Sequence, residues 1–150
     1  MQNAASVAPA VWDGGIVWEV PGKPISVRLS RDVVDRLGIA VQEGFKSLPR
    51  RGLETGGLLI GTKREAGNKV VVDVTDFEPV ESEHAAGPSY LLSDADRRLL
   101  AARISAREAA VKSRSTVGFY RSHTRRDFAI TMEDAALFST YFRKASDVFL

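Results

Sequence analysis

Gly118-Phe119-Tyr120-Arg121-Ser122-His123-Thr124 closes an apolar run and opens a polar one. Thr116 to Tyr120 is rich in β-branched and aromatic residues and reads as a strand. Arg121 to Ile130 reads as a basic loop, with Arg125 and Arg126 beside Arg121. Thr131 then opens a helix that carries Leu137, Phe138, Tyr141 and Phe142. Thr131 and Asp134 stand as N-cap and third residue of that helix, the spacing of a capping box.

Upstream, Glu54 heads Glu54-Thr55-Gly56-Gly57-Leu58-Leu59-Ile60-Gly61, in which Gly56 to Gly61 reads as a buried strand. Before it, Ile16 to Val20 is a first strand between Gly14-Gly15 and Pro21-Gly22, and Ile25, Val27 and Leu29 alternate as a second. Ser30 is a helix N-cap with Asp32 in the first turn. Val33, Leu37, Val41 and Phe45 recur at four-residue spacing, giving an amphipathic helix to about Leu48 that Pro49 ends. After the Gly56 strand, Ala66-Gly67-Asn68 is a turn and Val70 to Val74 the return strand, which Phe77 extends. Glu81 to Ser89 is a polar loop containing His84. Ser93 with Asp96 caps a second helix marked by Leu99, Leu100, Ile104 and Val111. Strands alternating with three helices predict an α/β domain with a mixed sheet flanked by helices.

The 150 residues suit one domain, 15–150, behind a flexible segment 1–14. The sequence ends in Asp147-Val148-Phe149-Leu150, which begins like a strand; the expectation is a strand cut short and a longer parent protein. A net charge of +2 gives no general case for nucleic acid. No apolar run approaches the ~20 residues of a membrane span. Residues 1–11 lack the basic start and apolar block of a signal peptide. The absence of cysteine excludes disulfides and thiolate zinc sites and fits a cytoplasmic protein.

Taken together, Glu54-Thr-Gly-Gly, Tyr120-x-Ser122-His123, Thr131 and Asp134 resemble the zinc site of the JAB/MPN (JAMM) metallopeptidase family over roughly residues 25–150. The family pattern is an early Glu, then His-x-His, seven residues, Ser, two residues, Asp. This sequence keeps the spacing but has Arg121 at the first His, Thr124 at the usual Pro and Thr131 at the Ser. The resemblance implies a cytidine-deaminase-like three-layer α/β/α fold with a mixed central sheet. It implies Glu54 as general base, His123 and Asp134 as zinc ligands and Thr131 at the oxyanion, with Tyr120, Ser122 and Arg125 in the same cleft. It further implies a peptide, or the tail of a ubiquitin-like or sulfur-carrier protein, as partner, and allows a homodimer.

In an intact site of that kind, zinc lowers the pKa of its bound water, a Glu takes the proton, and a hydroxyl steadies the oxyanion. Arg121 changes this, because a guanidinium stays charged and has no lone pair for a metal. At ~4 Å from a dication, with an effective dielectric of about 20, the repulsion is on the order of 8 kcal/mol. Strong structural zinc sites are worth about 10–16 kcal/mol in all.

Three readings follow. In the first, Arg121 replaces the metal by pairing with Glu54, Asp134 or both, leaving a cofactor-free pseudo-enzyme that binds a peptide or protein tail. In the second, Arg121 swings out, His84 supplies the missing ligand, and the domain is a zinc metallopeptidase or isopeptidase. In the third, Arg121, Arg125 and Arg126 form an anion-binding cleft; nucleic acid is not the expected ligand, since no aromatic residues interleave the arginines. Each residue also has a plainer role open to it: a helix cap for Thr131 and Asp134, a hydrogen-bonded or surface position for His123, a solvated acid at Glu54, an exposed loop position for His84.

Overall fold

The computed structural model describes residues 14–85, 87–110, 114–124 and 129–150. The expected N-terminal segment up to residue 13, Val111 at the end of the second helix, Arg125 and Arg126 lie outside them. Strands β1 (Ile16–Glu19) and β2 (Ile25–Leu29) precede helix α1 (Arg31–Ser47). A long hairpin follows, β3 (Gly56–Ala66) and β4 (Lys69–Pro79), then α2 (Asp94–Ala109), β5 (Ser115–Arg121), α3 (Met132–Tyr141) and β6 (Val148–Phe149). The six strands form one sheet in the order β1-β2-β4-β3-β5-β6. It is mixed: β2 with β4 and β5 with β6 are parallel, and the other three pairings are antiparallel. The molecule is therefore a mixed α/β structure with a six-stranded mixed sheet and three helices among the described residues.

β3 explains why Gly56 to Gly61 lacks a polar alternation. It lies between β4 and β5, and both of its faces are covered. Leu59 joins a core with Val33 and Leu37 of α1, Val72, Val74 and Val117. Leu58 and Ile60 join a second core with Leu100 of α2, Phe119 and Phe142. Leu58, Leu59 and Ile60 are at most 1% exposed, and each such side chain contributes roughly 1.5–3 kcal/mol by leaving water.

Several boundaries differ from the expected ones. β3 runs on to Ala66 and β4 spans Lys69 to Pro79, because their backbone ladder continues through the polar stretch Thr62-Lys63-Arg64-Glu65. Arg121 is the last residue of β5, not the first of a loop: Gly56 pairs with it and its amide donates to the Leu150 carbonyl at 2.9 Å. Phe45 is 53% exposed although it continues the four-residue spacing of Val33, Leu37 and Val41. Each four-residue step overshoots a helical turn by about 40°, so after three steps Phe45 has rotated about 120° away from Val33. On α2, Leu100 is fully buried while Leu99 is 41% exposed, because neighbouring positions point about 100° apart.

Gly118 lets β6 dock. A Cβ there would lie 1.9 Å from the Val148 carbonyl oxygen, so any side chain collides with the strand that pairs with β5. Leu150, just past β6, in turn accepts from the Arg121 amide, which is how this segment reaches the site.

Candidate functional site

Two adjacent strand ends build the site. Glu54 lies just before β3, where Leu53 donates to the Gly44 carbonyl and Glu54 to the Pro88 carbonyl. Arg121 ends β5, the neighbouring strand. Thr55 and Ser122 lock the two ends together: the Thr55 amide donates to Ser122 Oγ at 2.8 Å, and the Ser122 amide donates to the Thr55 carbonyl at 2.8 Å. From the third side, Thr131 caps α3. Its hydroxyl accepts from the Asp134 amide, and Asp134 Oδ2 accepts from the Thr131 amide, both at 3.1 Å.

Arg121 joins the three pieces. Its Nη2 donates to Glu54 Oε2 at 2.8 Å, and its Nη1 donates to Asp134 Oδ1. Glu54, Asp134 and Arg121 have side chains only 3%, 5% and 6% exposed. Two buried carboxylates thus share one guanidinium, and the trio carries one negative charge in excess. Glu54 has further donors: the Tyr90 amide at 3.0 Å, and the Thr124 amide and hydroxyl, both at 3.4 Å. Burial pushes the Glu54 carboxyl up, but the Arg121 guanidinium and the Tyr90 amide outweigh it and hold it below the ordinary value. Burial pulls Arg121 down, yet its bonds to Glu54 and Asp134 raise it above the ordinary arginine value. The guanidinium is therefore permanently charged. Its Nε is buried and has no acceptor among the described residues.

His123 reaches the same group at its edge. Its Nε2 is 3.9 Å from Asp134 Oδ2, and its side chain is 16% exposed. Tyr120 is turned into the core, where its ring meets Phe77 edge-on at 5.7 Å; burial pushes its hydroxyl well above the ordinary tyrosine value. Glu54 is 2% exposed, so it is not a solvated acid.

His84 is half-buried, not exposed, and its φ of 49° is a left-handed turn conformation. Its Nδ1 is 3.2 Å from the carbonyls of both Gly87 and Ser89, so that nitrogen must carry the proton to bond either. His84 and Glu54 line one cavity of about 350 Å3, whereas His123 and Glu54 line another of about 350 Å3. The structure does not bring His84 to His123 and Asp134. Among the described residues no three His, Asp or Glu side chains form a group that could hold a metal ion.

The donor set in this arrangement does not fit a zinc ion. Asp134 Oδ1 and Glu54 Oε2 both face the Arg121 guanidinium, and only His123 and Asp134 remain of the expected ligands. An anion does not fit between them either, since both terminal nitrogens of Arg121 already serve carboxylates.

The contacts of Tyr90, Thr124 and Leu150 had no sequence signal. Each acts through the backbone or a weakly placed hydroxyl, from a segment distant in sequence. Leu91 and Ile130, which line cavities that also touch Arg121 and His123, are 36% and 69% exposed, so apolar surface stands beside a buried charged centre. Leu37, Val41, Ile130 and Phe149 line an adjoining cavity of about 540 Å3 that also touches Arg121 and His123. No protein-family model matches the chain, and a search of curated proteins found no match. Among the described residues no helix is long and apolar enough to cross a membrane.

Proposed function

We propose that this is a JAB/MPN-like domain of the three-layer α/β/α, cytidine-deaminase-like kind, in which Arg121 stands in the metal position and the cleft binds a peptide or protein tail without hydrolysing it. One observation carries this reading: the buried guanidinium of Arg121 bridges Glu54 and Asp134, the residues that the resemblance assigns as base and ligand. An arginine there bonds both carboxylates and offsets one of their two charges, half of what a dication would, and removing it leaves costly unpaired buried charge. Glu54 is accordingly held ionised and fully engaged, a poor arrangement for taking up a proton. The exposed Leu91 and Ile130 and the apolar cavity that Ile130 lines supply area for a docked segment.

The test is metal content of chelator-treated, zinc-exposed protein, measured beside Arg121→His. The expected result is no stoichiometric zinc in the native chain and about one zinc per chain in the variant. About one zinc in the native chain would overturn the reading and turn attention to a metallopeptidase with a recruited ligand. Zinc in neither would leave Arg121 as a purely structural bridge and remove the resemblance as support.

A further inference from the structure

A second charged cavity lies away from the Arg121 site and shares no lining residue with the three cavities around it. It has a volume of about 510 Å3 and sits between the later half of α2 and the strands β3 and β4. Arg103 and Arg107, one helical turn apart on α2, line it together with Arg114, Glu78 and Asp76, against Ile60 of the sheet.

The charges there do not balance. Glu78 serves two arginines at once: Arg103 Nη1 donates to Oε1 at 2.5 Å, and Arg107 Nε and Nη2 donate to Oε2 at 3.1 and 2.8 Å. Asp76 is already taken by Arg36 of α1 at 3.0 Å, and Arg36 also bonds Asp32. Arg114 makes no hydrogen bond or ion pair among the described residues, although it stands close enough to Asp76 to help lower its pKa. Among the residues that line the cavity, three guanidiniums therefore face two carboxylates, one of which is already shared with Arg36. The Nε of Arg103 is buried and has no acceptor among the described residues. Buried polar groups of this kind normally find a partner.

We propose that this cavity binds a small phosphate-bearing molecule. Arginine forks match phosphate oxygens two at a time, and the volume falls in the range of small-ligand pockets. The arginines must carry the binding themselves, since the cavity lies at the C-terminal end of α2, where the helix dipole disfavours an anion. Arg103 and Arg107 are 42% and 36% exposed, so solvent screens them and binding is salt-sensitive. Glu78 is the internal competitor for the same two guanidiniums.

Inorganic pyrophosphate is the probe, titrated calorimetrically into the whole protein at constant ionic strength. The native chain is expected to bind it saturably at one site. Arg114→Ala removes a side chain without any bond to lose in the described structure and is expected to weaken binding about tenfold. Arg107→Ala is expected to do at least as much, and Glu78→Gln to tighten binding severalfold by freeing both arginines. No saturable binding by the native chain would overturn the proposal. So would equal binding by the native, Arg107→Ala and Arg114→Ala proteins, which would mark a general attraction to a basic surface.

Discussion

Arg121 Nη2 lies 2.8 Å from Glu54 Oε2 across 67 residues of sequence, and both side chains are buried. The same guanidinium holds Asp134, so the end of β5, the entry to β3 and the first turn of α3 are tied at one point. This is at once a structural lock and the centre of the proposed site.

Removing the guanidinium should cost more than removing an ordinary surface charge. Arg121→Met keeps much of the side-chain volume but leaves Glu54 and Asp134 buried without their cation. Urea unfolding is expected to show a loss of about 3–5 kcal/mol. Adding Glu54→Gln to Arg121→Met should restore part of it, because one of the two unpaired charges is gone. A loss under about 1 kcal/mol, the size of an exposed pair, would show that the bridge is not buried in solution.

Acid should weaken the same lock. The folded-state value of Glu54 is lowered relative to its ordinary 4.5, so its contribution to stability is fully present above that value and disappears as pH falls through the folded value. Asp76, Glu78 and Asp96 are lowered too and act in the same direction. The informative comparison is therefore native against Glu54→Gln between pH 7 and pH 3. The native protein should lose stability more steeply below about pH 4.5, near the ordinary glutamate range, and the gap between the two should narrow as pH falls. Parallel curves would contradict a depressed Glu54.

The cap of α3 offers a milder test. Thr131→Ala removes the hydroxyl that accepts from the Asp134 amide, and should cost about 1 kcal/mol. Thr131→Ser keeps the acceptor and should cost much less. Equal effects of the two substitutions in denaturant unfolding would assign the contribution to the threonine methyl group instead.

Gly118→Ala should unseat β6. The added Cβ meets the Val148 carbonyl at 1.9 Å, and relieving the overlap is expected to cost about 1–3 kcal/mol. Hydrogen exchange should speed up at the Arg121 and Leu150 amides, which donate to the Leu150 and Phe119 carbonyls. Unchanged exchange at both would mean that β6 does not pair there.

Much of this molecule was legible residue by residue. The four-residue recurrence from Val33 to Phe45 marked a helix, though Phe45 itself is exposed, the Gly56 to Gly61 run marked a buried strand, and Thr131 with Asp134 marked a cap, because each signal is local. Arg121 likewise stated, from chemistry alone, that a cation stands where the resemblance expects a histidine ligand. The sequence left open whether Arg121 would turn inward or out, whether His84 would join the cleft, and which acids it would meet. Those depend on contacts across tens of residues. The β3–β5 register set Gly56 opposite Arg121, Leu150 just past β6 closed on the Arg121 amide, and the buried guanidinium met Glu54 and Asp134. Side-chain type is a property of one position; which charges are forced to share a dry space is decided only when distant strands are laid side by side.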